Sequence, residues 1–132
     1  MDVIKAIHYN GSSVGLMGVY IGMHREFSDW EKIVVKIGCL DEFRFQENYI
    51  YMASDHSGER DYIRVRIIGK EVIDGFSVNL HTNDSASRDL AWSYIQELQK
   101  TVKNDKNNIT VFSTIESNPC NYKFGLTLDI MQ

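Results

Sequence analysis

Proline, cysteine and long apolar runs are scarce in this 132-residue sequence, and each shortage disfavours a class of protein. The single proline, Pro119, leaves no proline-rich linker between domains. Cys39 and Cys120 are the only cysteines and form neither a CxxC nor a zinc-like spacing, so we interpret them as reduced thiols, with a lone disulfide as the alternative. No stretch of 18 apolar residues exists to span a membrane, and the N-terminus lacks the features of a signal peptide. We therefore expect a cytoplasmic protein.

Sequence motifs for catalysis, metals and phosphate are also missing. The four histidines form no HxH, HExxH or mixed Cys/His cluster. The glycine-rich segment 11–22 is not followed by GKS or GKT and contains no GxGxxG. We expect neither a metal site nor a cofactor, and the sequence favours a non-enzymatic role over an enzymatic one.

The length and composition are those of one ordinary globular domain, which we assign to residues 1–132. The sequence is 43% hydrophobic and 24% charged, which argues against intrinsic disorder. Its formal net charge of -4 disfavours nucleic acid as a partner, because nucleic-acid binding usually needs a basic surface.

One long amphipathic helix is predicted over residues 84–103. Asp84 is a favourable N-cap residue, and Lys100 and Lys103 in the last turn complement the helix dipole. Trp92 falls outside the apolar stripe, so it either packs against a neighbouring element or marks a binding surface. The predicted stripe consists of Ala86, Leu90, Tyr94, Leu98 and Val102, with Ala91 and Ile95 beside it.

A three-stranded meander is predicted over residues 49–81. Residues 62–67 alternate strictly, so one face is apolar and the other carries tyrosine and arginine. Matching the apolar residues across the strands fixes two registers on the same inner face. The predicted pairs are Met52–Ile63, Ile50–Val65, Tyr51–Arg64 and Tyr49–Arg66 in the first hairpin, and Ile67–Phe76, Val65–Val78 and Ile63–Leu80 in the second.

Two further hairpins are predicted, one at each end of the chain. The first joins residues 3–9 to 14–23 through the turn Asn10–Ser13, pairing Tyr9 with Val14. The second joins residues 109–115 to 122–130. Its predicted pairs are Ile115–Tyr122, Ser113–Phe124, Val111–Leu126, Ile109–Leu128 and, on the outer face, Phe112–Gly125.

Between the first hairpin and the meander, Ser28 and Glu31 form a capping box that favours a short helix over residues 29–37. The β-branched residues within it make a strand the alternative. Residues 39–48 are interpreted as an irregular connection. The predicted fold is thus α+β, with about seven strands in the order ββ-α-βββ-α-ββ and the long helix packed on the central meander.

The polar face of the meander is the best candidate for a binding surface. Tyrosine and arginine are enriched at interface hot spots, and arginine over tyrosine makes cation–π contacts. An ordinary solvated sheet face, or a face covered by another element, is the alternative. The face comprises Tyr49, Tyr51, Tyr62, Arg64, Arg66, Asn79 and His81.

The loop between the first two meander strands is the most polar stretch of the chain. Asp55, His56 and Ser57 are adjacent in it, but sequence neighbours on a loop rarely converge as a catalytic triad requires. We interpret the loop as a partner contact, with a solvated hairpin tip as the alternative. Its charged carboxylates include Glu59 and Asp61.

The leading hypothesis is a small protein-binding domain of the immunity or antitoxin type, which would inhibit a basic toxin or nuclease. Carboxylates at Asp41, Glu42 and Glu47, with those of the polar loop, would meet the basic partner and speed association. One alternative is a small ligand-binding or sensor domain with its site near His81 and the tyrosine–arginine face. The other is a structural homo-oligomer, for example a homodimer, joined through Trp92, the first hairpin or an edge strand.

Overall fold

A computed structural model describes residues 2–16, 18–27, 42–53, 62–103, 108–117 and 124–132. In these residues nine strands form two antiparallel sheets, which confirms the predicted α+β class. The small sheet has the order β1-β2-β3, and the large sheet has the order β4-β5-β6-β7-β9-β8. The elements are α1 (Asp2–Lys5), β1 (Ile7–Tyr9), β2 (Val14–Leu16), β3 (Val19–Tyr20), a 3-10 turn (Arg25–Phe27), β4 (Glu42–Phe45), β5 (Tyr49–Ala53), β6 (Tyr62–Ile68), β7 (Gly75–Thr82), α2 (Ser85–Lys103), β8 (Thr110–Ser117) and β9 (Phe124–Met131).

The large sheet buries one face and turns the other outward. Ile63, Val65 and Ile67 of β6 are buried, whereas Arg64 and Arg66 between them are exposed. The alternation predicted from the sequence is confirmed, because strand side chains point to opposite faces in turn. The buried residues of both sheets and of α2 belong to one hydrophobic cluster.

The predicted register of the second meander hairpin is confirmed, and that of the first is wrong. Val65 lies opposite Val78 on β7, as expected. On β5, however, Val65 lies opposite Met52 rather than Ile50, a shift of two residues. A two-residue shift keeps every side chain on its own face, so the hydrophobic pattern cannot detect it.

The predicted register of the last hairpin is wrong by four residues. Ile115 lies opposite Leu126, and Phe112 lies opposite Asp129 instead of Gly125. The shift is again even, so the inner face stays apolar. Glu116 is the residue that lies opposite Gly125.

The first hairpin is only partly as predicted. Tyr9 pairs with Val14, which confirms the register. The second predicted strand is broken, because the chain turns back at Gly18, whose φ of 89° suits glycine, and β3 then pairs with β2. The first predicted strand is shorter than expected, because residues 3–5 lie in α1 and the strand β1 covers only Ile7–Tyr9.

Residues 39–48 are not wholly irregular, since the sequence analysis missed β4. Glu42–Phe45 pairs with β5 and forms one edge of the large sheet. The capping box Ser28/Glu31 and the helix predicted over residues 29–37 lie outside the described residues.

The long helix α2 begins and ends as predicted. Asp84 caps it: the carboxylate accepts a hydrogen bond from the Ala86 amide at 3.0 Å and one from the Ser87 hydroxyl at 2.7 Å. The Ser87 bond, and then the Ala86 bond, hold the pKa of Asp84 below its ordinary value, because both favour the charged carboxylate. Lys100 and Lys103 lie in the last turn.

The buried stripe of α2 is rotated from the predicted one. Leu90, predicted to be buried, is 65% exposed, and Ala86 is also exposed. Trp92, predicted to lie outside the stripe, is half-buried and packs against the core. The buried residues of the helix are Ala91, Ile95, Leu98 and Val102.

The topology of the sheet explains this rotation. Strands β7 and β8 are both antiparallel to β9, which lies between them, so they run parallel to each other. Parallel strands need a crossover, and α2 supplies it. Within the large sheet, the helix therefore lies mostly against β8, with smaller contacts to β7 and β9, rather than on the centre of the meander; it also packs against α1 and β1. This corrects the predicted placement.

The small sheet is held to the rest of the molecule by backbone and side-chain hydrogen bonds. The Ile73 amide donates to the Met23 carbonyl at 2.9 Å, and the Gly22 amide donates to the Ile73 carbonyl at 2.7 Å. At the other end of the small sheet, the Tyr94 hydroxyl of α2 donates to the Ile7 carbonyl at 2.5 Å. Partial burial of this hydroxyl raises the pKa of Tyr94 above its ordinary value.

The Arg25 guanidinium, which follows the small sheet in the chain, forms hydrogen bonds with two turns of the large sheet. It donates to the carbonyls of Gln46 at 2.6 Å, Glu47 at 2.7 Å and Gly69 at 3.3 Å. We expect Arg25→Ala to lower the free energy of unfolding by about 1–3 kcal/mol, because charge-assisted hydrogen bonds to several carbonyls are lost together. Arg25→Lys should recover only part of this, because an ammonium lacks the planar fork. Urea unfolding tests both variants, and an Arg25→Ala protein as stable as wild type would contradict the expectation.

Candidate binding surface

The outward side of β4, β5 and β6 brings together a group of side chains that we call the Tyr/Arg face. Tyr51 lies directly between Arg44 on one side and Arg66 on the other, as its partner in each register. Tyr49 lies two residues along the same strand, and Arg64 lies two residues from Arg66. The Tyr/Arg face thus consists of Arg44, Tyr49, Tyr51, Arg64 and Arg66.

Arginine side chains lie over the tyrosine rings of this face. The guanidinium carbon of Arg44 is 4.9 Å from the centre of the Tyr51 ring. That of Arg66 is 5.6 Å from the Tyr49 ring and 5.7 Å from the Tyr51 ring. These are cation–π distances, and each contact is worth about 0.5–1 kcal/mol when exposed. The stacked rings restrict the arginines before any partner arrives, which lowers the entropy lost on binding.

The Tyr/Arg face is positively charged although the protein as a whole is negative. Among the described residues, Glu42 is a carboxylate that pairs with this face: the Nε of Arg44 donates to it at 2.9 Å. Counting Arg44, Arg64 and Arg66 against Glu42 gives 3 − 1 = +2 on the outward side of β4 to β6. The whole chain carries -4. The outward side of β4 to β6 is therefore net positive in a chain that is net negative, whereas Glu116 and Asp129 lie on the outward side of β8 and β9.

A surface depression of about 260 Å³ lies on the same face. Arginine presents several N–H donors in a planar fork that matches carboxylate and phosphate oxygens. The depression can therefore receive an anionic side chain beside the tyrosine rings. It is lined by Arg44, Gln46, Tyr49, Tyr51, Arg64 and Arg66.

Asn79 and His81 extend the outward surface from β6 onto β7. Asn79 lies opposite Arg64, and its side-chain oxygen accepts a hydrogen bond from the Thr127 hydroxyl at 3.0 Å. Burial is the main cause that lowers the pKa of His81 below its ordinary value; the positive charge of Arg64 acts in the same direction, and Glu116 opposes it. His81 is therefore mainly neutral at neutral pH and adds little to the charge of the surface.

The other predicted site residues are placed apart from the Tyr/Arg face or are not described. Trp92 belongs to α2, and the buried side of that helix packs against the opposite side of the sheet. Tyr62 pairs with His81 through its backbone, but its side chain lies outside the described residues. The polar-loop residues Asp55, His56, Glu59 and Asp61 also lie outside the described part of the chain, so their predicted contacts stay predictions.

Sequence reasoning predicted four of the five residues of the Tyr/Arg face and missed Arg44. The cause is the interpretation of residues 39–48 as irregular. Glu42-Phe43-Arg44-Phe45 alternates polar and aromatic residues, which is a strand signal. Gln46, which lines the depression, was missed for the same reason.

Within the described ranges, histidine, cysteine and carboxylate side chains form no group of three that could hold a metal ion. None of the helices among the described residues is long and apolar enough to cross a membrane.

Comparisons with known protein families, with curated protein sequences and with solved structures found no match for this chain.

Proposed function

We propose that this protein is a non-enzymatic binding domain whose Tyr/Arg face recognises an acidic segment of a protein partner. The observation that carries this proposal is the stacking of Arg44 and Arg66 over Tyr49 and Tyr51 on adjacent strands. It supplies concentrated positive charge, flat aromatic area and restricted side chains in one place. These are the features by which arginine clusters bind acidic motifs.

The sign of the charge favours an acidic partner over the basic toxin considered from the sequence. Two of the carboxylates assigned to a basic partner are already engaged: Glu42 binds Arg44, and Glu47 lies 2.9 Å from the Lys70 ammonium. The remaining ones, at Asp41 and in the loop 54–61, lie outside the described residues. Inhibition of a basic toxin stays a prediction that depends on those residues.

A small anionic ligand is the second candidate, and the depression on the face supports it. Its volume of about 260 Å³ is slightly below the range typical of drug-sized ligand pockets, and arginines dominate its lining. All five residues of the Tyr/Arg face line the depression, and the outward surface continues beyond it onto Asn79 and His81 of β7. A segment of a protein therefore uses the surface more fully than a single small anion does.

The proposal is tested with defined probes rather than with an unidentified partner. The main probe is a fluorescent twelve-residue peptide rich in glutamate and aspartate with one tyrosine, and the comparison probes are its glutamine/asparagine counterpart, an oligouridine of similar length and inorganic phosphate as competitor. Fluorescence anisotropy should show binding of the acidic peptide that weakens as salt rises, because exposed charges are screened.

Arg66→Glu should weaken binding of the acidic peptide by about tenfold or more, since it reverses the central charge of the face and removes two stacking contacts. Lys100→Glu is the matched control: it changes the net charge by the same amount on an exposed residue of α2, and it should change the affinity less than about threefold.

Each alternative result has a defined meaning. Equal losses in Arg66→Glu and Lys100→Glu would show that only the net charge matters, which contradicts a specific face. Preference for oligouridine would replace the protein partner by a nucleic acid, and complete competition by phosphate at comparable affinity would replace it by a small anion.

A further inference from the structure

The two edges of the large sheet differ in how they discourage pairing with another chain. The β4 edge is four residues long and carries Glu42 and Arg44. The β8 edge is eight residues long and in unbroken register with β9. It contains no proline, lysine or arginine, and Glu116 is its single charged residue. Short length, charge and proline are the usual devices that protect an edge strand, and β8 has few of them.

The β8 edge also presents an exposed aromatic side chain. Phe112 points to the outward side of the sheet, opposite Asp129 on β9, and is 63% exposed. On the inner side, the Gln99 side-chain amide of α2 donates to the Val111 carbonyl at 3.0 Å, which covers one backbone group at one end of the strand. Among the described strands, β9 is the one that pairs with β8.

The sequence of β8 complements itself when two copies are placed antiparallel. With Ser113 opposite its own copy, Val111 meets Ile115 on the inner side, and Phe112 meets Thr114 on the outer side. Thr110 then lies opposite Glu116, so the two Glu116 carboxylates are separated. This register keeps inner residues with inner residues, because the paired numbers differ by an even number. Cross-strand aromatic and β-branched pairs of this kind stabilise sheets.

We propose that a second copy of this chain binds along β8, pairing β8 with β8 antiparallel about a two-fold axis at Ser113. The two six-stranded sheets then form one continuous sheet of twelve strands. Such a contact is isologous and closes after two copies, as most homodimer interfaces do. The two Phe112 rings become diagonal neighbours, within the reach of aromatic side chains. This inference does not use the Tyr/Arg face, so it stands or falls independently of the proposed function.

A groove beside the strand provides room for the inner side of the second copy. It has a volume of about 450 Å³ and lies between the C-terminal half of α2 and the start of β8. Val102, Ile109 and Val111 supply the apolar part of its lining, against which the Ile115 side chain of the second copy can pack. The residues that line the groove are Gln99, Val102, Lys103, Ile109, Thr110, Val111 and Phe112.

The test is sedimentation equilibrium of the intact chain at concentrations up to about 1 mM, the range in which an interface of one strand pair is expected to associate. Wild type should follow a monomer–dimer equilibrium. Phe112→Lys and Thr114→Lys should each weaken dimerisation by about tenfold or more, because lysine on an edge places like charges beside each other in the dimer. Leu90→Lys is the matched control, since Leu90 is 65% exposed but lies on α2. It should leave the dimer unchanged.

Far-ultraviolet circular dichroism and the thermal midpoint of each variant at low concentration show whether the monomer is still folded. A wild-type protein that stays monomeric over the whole range overturns the inference. So does a dimer that resists both β8 variants while the monomers remain folded, or one that Leu90→Lys disrupts.

Discussion

Phe76→Ala is expected to lower the free energy of unfolding by about 3–5 kcal/mol. Phe76 is 1% exposed and is among the largest fully buried side chains. It lies near the start of β7, an inner strand of the large sheet, where it pairs with Ile67 on one side and Ile130 on the other. Removing the ring leaves a cavity between elements that cannot close around it, because the neighbouring strands are fixed by their hydrogen bonds. The free energy of unfolding of a typical domain is about 5–15 kcal/mol, so this variant would lose a large share of the stability.

Phe45→Ala is the matched control for this loss. Phe45 belongs to the edge strand β4 and is 58% exposed, and its ring contacts that of Phe43 at a centroid distance of 5.0 Å. We expect a cost below about 1 kcal/mol, because little surface returns to water. Urea unfolding followed by tryptophan fluorescence measures both variants. Similar midpoints for the two would contradict the assignment of Phe76 to the centre of the core.

Gly69→Ala is also expected to have a large effect and to lower the free energy of unfolding by about 3–5 kcal/mol. Gly69 lies between β6 and β7 with a φ of 139°, a conformation that side chains with a Cβ rarely adopt. A Cβ at this position would overlap the backbone carbonyl oxygen of Val72. The backbone there cannot move easily, because the Gly69 amide donates to the Asn48 carbonyl at 2.9 Å and the Gly69 carbonyl accepts from Arg25.

Gly11→Ala separates the clash from the backbone strain. Gly11 also has a positive φ, of 95°, but a Cβ there would have no heavy atom within 4 Å. We expect this variant to lower the free energy of unfolding by about 1–2 kcal/mol, because it has the backbone strain without the clash. Thermal and urea unfolding of the two variants give the comparison. A Gly69→Ala protein no less stable than Gly11→Ala would show that the turn after β6 is not as tight as described.

The parts of the fold predicted correctly are those for which a wrong choice exposes apolar side chains. In the β6–β7 register, for example, a one-residue error would turn Val65 and Val78 toward water, so the pattern excludes it. The β5–β6 register is wrong by two residues because Met52 lies on the inner face in either arrangement. Turn geometry decides between such even shifts, and the loop 54–61 is too long to be one of the two-residue turns that fix a hairpin register. The same reason accounts for the four-residue error between β8 and β9.

The rotation of α2 could not be predicted from the helix alone. Leu90 and Trp92 are both large and apolar enough to be buried, and helical periodicity accommodates either. The choice is made by the strands that the helix connects: β7 and β8 run parallel with β9 between them, and α2 must cross over β9. A non-local pairing of this kind, between β7 and β9, leaves no local sequence signal.

The candidate surface was largely predictable because its side chains follow from alternation in two strands. Tyr49 and Tyr51 share a face whatever the register, as do Arg64 and Arg66. The specific contacts were not predictable, since the two-residue shift places Arg66 rather than Arg64 opposite Tyr51. The third arginine depends on β4, which is short and exposed and therefore has a weak hydrophobic pattern.

The most direct test of the central claim is a titration of the uniformly ¹⁵N-labelled protein with the acidic twelve-residue peptide, followed by two-dimensional NMR. We expect the amide chemical shifts to change mainly in residues 42–53 and 62–68, and to move back to their values in the free protein as salt is added. In the Arg66→Glu variant, the same peptide concentration should cause no such changes. Shifts concentrated in α2 or β8, or spread evenly over every exposed lysine and arginine, would contradict this expectation.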